Sequence, residues 1–171
     1  MGAFVRDGGP DDVGAVLRVK NETWRTAYRG LLPQDFLDGL SVTPRAVQAW
    51  RARIGSGAQH LAVGEAGGEV SGFVLYGPAE DEGTGGAEIH AIYVLAEHWS
   101  TGLGLALMAH AVGHLAELGY REAGLWVLEG NARARRFYER FGFTPSGRVQ
   151  DVDGLPFPAP ELHYRMALAT G

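Results

Sequence analysis

No cysteine occurs anywhere in the 171 residues. That excludes a disulfide framework, a thiolate nucleophile and a cysteine-ligated zinc site, and it suits a reducing cytoplasm. No apolar run approaches the ~18 residues that a membrane-spanning helix needs. The opening MGAFVRDGG lacks a basic segment ahead of an apolar core, so no signal peptide is expected. Arg6 stands where a myristoylation motif wants Ser or Thr. None of the six histidines falls in a His-Glu-x-x-His pattern, so no metal is expected. No serine sits in a Gly-x-Ser-x-Gly elbow, which argues with the missing cysteine against an acyl-enzyme. An excess of positive charge is lacking as well. The formal net charge of −5 speaks against nucleic-acid and acidic-membrane binding.

What is present is ordinary for a folded protein, with 46% hydrophobic and 20% charged residues. The length suits one domain, residues 1–171, with a real core. The first third reads as mostly helical. After a short strand at AFVRD, a helix starts around Asp11 and Asp12, with Val13, Val16 and Leu17 at helical spacing. Trp24 and Tyr28, four apart, share a face of it. A short helix runs from Pro33 to Gly39, and another from Pro44 to Ile54 behind a Ser41/Thr43 cap region.

The character changes at Gln59. HLAVGEAGGEVSGFVLYG reads as two strands joined at Gly67-Gly68, an antiparallel hairpin. After the polar loop AEDEGTGG comes a strand from Ala87 to Leu95, then an apolar helix from about Gly102 to Leu118. A strand in YREAGLWVLEG and a short helix from Asn131 to Gly142 follow. Two last strands are expected near Phe143–Val152 and Glu161–Leu168. No internal repeat or low-complexity linker is seen. The strand–helix–strand–helix centre implies local parallel pairing, so the expected fold is α/β (α+β), a mixed sheet flanked by helices.

The stretch HWSTGLGLAL is unusual, because two glycines open an apolar helix at a cost of roughly 0.5–1 kcal/mol each. Strand, polar loop, Gly-x-Gly and helix form an anion-binding arrangement, with free N–H groups aimed at the ligand. A Walker loop fails, since Leu105-Ala106 follow Gly104 in place of Lys-Ser/Thr. A dinucleotide-binding turn is the weaker alternative, because Leu107 replaces its third glycine and the glycines lie well beyond the strand end.

Residues 87–143 resemble the core of the GNAT superfamily of N-acetyltransferases. The family's Gln/Arg-x-x-Gly-x-Gly/Ala loop corresponds to Trp99-Ser100-Thr101-Gly102-Leu103-Gly104, with Trp99 in place of Gln or Arg. Asn131, Ala134, Phe137 and Tyr138 are similar to the family's Asn-x-x-Ala-x-x-Phe-Tyr signature, and WRTAYRGLLPQDFLDGL looks like a segment of bacterial members. The resemblance implies a mostly antiparallel sheet with a central splay, acetyl-CoA as cofactor, and a primary amine of a small molecule or peptide as acceptor. It puts the pyrophosphate on the backbone from Trp99 to Leu105, and a bulge in the strand at Ile92, Tyr93 and Val94. Asn131 would lie near the pantetheine arm as well as capping its helix. Tyr138 would protonate the departing thiolate, and Phe137 and Phe141 would pack that helix.

Attack by an amine needs a base, because alkylamines titrate near ~10.4. Glu88, fourteen residues before Gly102, has the spacing of the strand glutamate in histone-acetylating members. Strict alternation puts Glu88, His90 and Ile92 on one face. His90 is the rival base or a second relay member. Trp24, Tyr28 and Arg25 are candidates for the acceptor wall, and Asp153, Glu161 and His163 for the same cleft. A monomer or homodimer is expected. The reading from another functional class is a non-catalytic acyl-CoA sensing domain.

Overall fold

The computed structural model describes residues 2–80 and 86–169. Among them run β1 (Phe4–Asp7), α1 (Val13–Ala27), α2 (Gln34–Asp38), α3 (Pro44–Gly55), β2 (His60–Ala66) and β3 (Glu69–Pro78). There follow β4 (Ala87–Val94), α4 (Leu103–Glu117), β5 (Glu122–Leu128), α5 (Ala132–Phe141), β6 (Thr144–Asp151) and β7 (Pro160–Ala167). The elements lie where the sequence puts them, with ends moved by a residue or so. Thr43 caps α3, its hydroxyl oxygen accepting from the Ala46 amide at 3.1 Å. Gly67 and Gly68 turn β2 back onto β3. Most of the polar loop AEDEGTGG, at 81–85, lies outside the described residues. No described helix is long and apolar enough to cross a membrane.

The strands form one sheet in the order β1-β2-β3-β4-β5-β7-β6. Every neighbouring pair is antiparallel except β4 and β5, which α4 joins by a crossover. Their pairing is short, linking Ala87–Ile89 to Ala123–Leu125 and no further. Beyond it β4 stays bound to β3 through Val94, and β5 to β7 through Leu128. The sheet therefore parts in its middle.

A bulge shapes β4 just where the parting begins. Tyr76 pairs with Ile89 and Leu75 with Ala91, leaving His90 as the extra residue. One extra residue turns the alternation over. Ile89 and Ile92 both pack toward the layer of α4, whereas Ala91 and Tyr93 pack toward α1. The expected grouping of Glu88, His90 and Ile92 is corrected accordingly: Glu88 and His90 stay together and Ile92 lies on the other face.

Helices α4 and α5 cover one face of the sheet, α1 and α3 the other, and α2 closes a smaller core around Tyr28, Leu37 and Leu128. Strand β3 is buried on both sides, Phe73 and Leu75 on one and Val74 and Tyr76 on the other, so it reads as continuously apolar. A Cβ at Gly64 of β2 would stand 2.6 Å from Leu103. Glycine there lets the first turn of α4 settle directly on the sheet and so sets the height of the helix start.

Candidate active site

A cleft of about 1270 Å³ opens where β4 and β5 part, walled by α1, α4, α5 and the segment before β7. The loop into α4 reaches it through two residues with left-handed backbone, Ser100 (φ 61°) and Gly102 (φ 93°). Gly102 is the N-cap of α4 and offers no side chain, so the amides of its first turn have no side-chain cap among the described residues. The Thr101 hydroxyl is spent on the His98 carbonyl at 2.6 Å. Leu103 points into the core, while Leu105 is 55% exposed beside the cleft. What the loop presents is backbone.

Gly104 has a different reason to be glycine. A Cβ there would make ordinary contacts, 3.7 Å to Phe137 and 3.8 Å to Val94, between residues that line the cleft. The protein alone would tolerate alanine, so the missing methyl reserves room in the cleft.

Trp99, the departure from the family loop, is pinned by its indole N–H, which donates to the Val94 carbonyl at 2.7 Å. Arg133 of α5 lies over its ring, 4.2 Å from the centroid, and donates to Ser100 Oγ at 3.4 Å. Arg133 has no carboxylate partner among the described residues. A cation thus stands at the loop after all, carried by the neighbouring helix. Sequence spacing held no signal for this, because the stacking joins residues 34 positions apart.

Asn131 caps α5, its Oδ1 accepting from the Ala134 amide at 3.2 Å, and lines the cleft. Tyr138 is the one buried residue of α5, its ring against Phe137, Phe143 and Tyr164. Phe137 and Phe141 pack against the same core as expected, half-buried, and Tyr138 joins them there. The Tyr138 hydroxyl makes no hydrogen bond within the described chain. Burial, reinforced by nearby Tyr93, raises its pKa well above the ordinary phenol value.

Glu88 and His90 form a pair, His90 Nδ1 2.7 Å from Glu88 Oε2, both side chains largely buried. His90 Nε2 lies 3.1 Å from the Pro78 carbonyl, which can only accept, so Nε2 carries a hydrogen. Their two-residue spacing puts both side chains on one side of the strand, and the bulge at His90 leaves that pairing intact.

Trp24 and Tyr28 meet edge to face with centroids 5.0 Å apart, on the face that α1 turns to the cleft. The bulge brings the Tyr93 side chain to them. Burial raises the pKa of the Tyr28 and Tyr93 phenols, which lie beside one another. Trp24 Nε1 is buried and faces this pair without a well-aligned partner. Of the three late candidates, Asp153 and Glu161 line the cleft and His163 does not. Glu161 accepts from Gln150 Nε2 at 2.7 Å, and its pKa is raised by burial, with the charge of Glu88 adding to the effect. His163 is buried behind Trp126, bonded to Ser146. Arg25 turns away to the carbonyls of Leu37 and Leu40.

A sheet parted between two parallel strands, with a glycine-turned helix start at the opening, is the architecture of the acyl-CoA N-acyltransferases. The PaiA N-acetyltransferase of Thermoplasma acidophilum, solved in complex with coenzyme A, superposes with a TM-score of 0.76 at 20% identity, over 98% of this chain and 99% of that one. Residues 21–143 match the model of the Acetyltransferase (GNAT) family, and the chain belongs to that family. The uncharacterized N-acetyltransferase YuaI of Bacillus subtilis (strain 168) is 33% identical over 129 residues, 74% of this chain and 72% of its own length. The L-methionine sulfoximine/L-methionine sulfone acetyltransferase of Pseudomonas aeruginosa is 30% identical over 158 residues, 89% of this chain and 86% of its own.

Proposed function

We propose that this chain, acting as one domain, transfers the acetyl group of acetyl-CoA directly to a primary amine. The observation that carries the reading is convergence: the uncapped start of α4, the parted edge of β4, the Tyr138 hydroxyl and the Glu88–His90 pair all face one cleft. The residues present fit the coenzyme. Free amides and the partial positive charge at the start of α4 suit a pyrophosphate, and Arg133 adds a cation beside them. The unpaired edge of β4 beyond Ile89 offers backbone groups to an amide-bearing arm. Gly104 keeps its path open.

When bound, acetyl-CoA supplies an activated thioester carbonyl and a thiolate leaving group. The protein's part is to position the amine, take one proton from it and return one to the sulfur. Glu88 takes the proton, and His90, tied to Pro78, holds the carboxylate in place and shares the charge. Tyr138 keeps its proton until the carbon–sulfur bond breaks, because its pKa is raised. Its phenol then hydrogen-bonds to the departing sulfur and hands over the proton. With no cysteine and no Gly-x-Ser-x-Gly serine to hold it, the acetyl group would pass from sulfur to the amine nitrogen without resting on the chain, whose residues supply position and the two proton transfers.

Thermal unfolding with acetyl-CoA, coenzyme A, NAD or no ligand tests the reading, followed by acetyl-CoA consumption against a panel of amines. At about 100 times its dissociation constant a ligand stabilises by about 2.7 kcal/mol. Stabilisation by acetyl-CoA and coenzyme A but not NAD, with turnover on some amine, is the expected result. Stabilisation without turnover on any amine would make the chain a sensor, and stabilisation by NAD alone would overturn the coenzyme assignment.

A further inference from the structure

Lys20 is the only lysine among the fifteen lysine and arginine residues of the chain, and it stands in the wall of the cleft. It lies on α1 one turn before Trp24, its ammonium 4.1 Å from the centroid of the Trp24 ring. It is half-buried, with burial lowering its pKa, and no carboxylate pairs with it among the described residues. The acids that share the cleft are mostly engaged elsewhere. Glu88 is held by His90, Glu161 by Gln150, and Glu80 by Arg53 at the rim. A desolvated cation without a counter-charge is costly, and that cost is relieved when an anion arrives.

We infer that the acceptor carries a carboxylate that Lys20 receives, so that the substrate is an amino acid rather than a simple amine or polyamine. The inference rests on the transferase reading and deepens it. Its charges then match the two sides of the acceptor end, with the carboxylate at Lys20 on α1 and the amine toward Glu88 and Glu161 on β4 and β7. A polyamine would instead bring a second cation against Lys20. Trp24 sets the position of the ammonium through its ring face, and Trp50 lines the same wall.

The test is calorimetric binding of paired ligands to the coenzyme A-saturated protein, together with steady-state kinetics on the same pairs. Each pair is a free amino acid and its carboxamide, drawn from several side-chain types, with spermidine and a C-terminally amidated peptide as outside arms. The wild type is expected to prefer the acid by about tenfold or more. Lys20→Met, which keeps the stem over Trp24, is expected to erase that preference while leaving the acetyl-CoA KM unchanged. Lys20→Arg, which keeps the charge, is expected to retain it. Equal binding of acids and amides by the wild type, a preference that survives in Lys20→Met, or tighter binding of spermidine overturns the inference. Loss of turnover on every acceptor in both variants, with the acid preference in binding intact, would identify Lys20 as a base and overturn it too. Because binding is read without acetyl transfer, failure of the transferase reading would leave this comparison standing.

Discussion

The starts of α4 and α5 both open onto the cleft and are built on opposite plans. At α5 the chain satisfies its own backbone, Asn131 accepting from the Ala134 amide. At α4 the cap is a glycine, and the one nearby hydroxyl, on Thr101, donates backward to His98. Under the proposed function α4 would meet the coenzyme with main chain and α5 with side chains, Arg133 and Tyr138. Main-chain donors do not depend on residue identity, so a loop that works through them has room for Trp99. Side chains do depend on it, and substitutions on α5 should separate the two contributions.

The largest effect is expected from Tyr138→Phe. The ring and its packing remain, so the coenzyme should bind as before, but kcat should fall by about 100-fold or more. Initial rates together with coenzyme calorimetry decide it. An unchanged kcat would reduce Tyr138 to a core residue, and α5 would then contribute no chemistry.

Arg133→Gln comes next. It should weaken coenzyme A binding by about threefold to tenfold, flatten the dependence of affinity on salt, and leave kcat alone, as fits an exposed cation. Titrations at two ionic strengths read this directly. Undiminished affinity would mean that the α4 backbone holds the phosphates alone and that the stack on Trp99 is only structural.

The smallest effect lies outside the cleft and sets the background for any pH profile. Burial lowers the pKa of both His60 and His163 from 6.5. Below about 6.5 the unfolded chain therefore binds more protons than the folded one, so stability should rise with pH through that range and level off above it. Denaturant titrations at pH 5.5 and 7.5 test the sign. His163→Gln should remove part of the slope, and a steeper loss on the alkaline side would contradict it.

Much of the fold was legible because its signals are local. The Gly67-Gly68 turn, the Thr43 and Asn131 caps and the apolar period of α4 each depend on residues within a turn of one another, and the structure has them all. Local sequence also brought Glu88 and His90 forward as a pair of candidates. It placed Ile92 beside them because a bulge leaves no mark in letters of the IHAIYV kind: any core strand would carry them. The side-chain role of Tyr93 follows from that same bulge, and so escaped notice. Glu161 and Asp153 could be named and not ranked, since which face β7 turns to the cleft depends on its pairing with β5.

By itself, the sequence determined the order and kind of the elements, the absence of cysteine chemistry, and the glycine-opened start of α4, because propensity, capping and backbone freedom act over a few residues. Only the tertiary structure decided that β4 and β5 part after Ile89, that Arg133 stands over Trp99, that Tyr93 joins Trp24 and Tyr28, and that the one lysine lies over Trp24 in the cleft without a carboxylate partner among the described residues. These are meetings of residues far apart in the chain. Their geometry is set by how the helical layers pack on the sheet, and that packing is a property of the whole core.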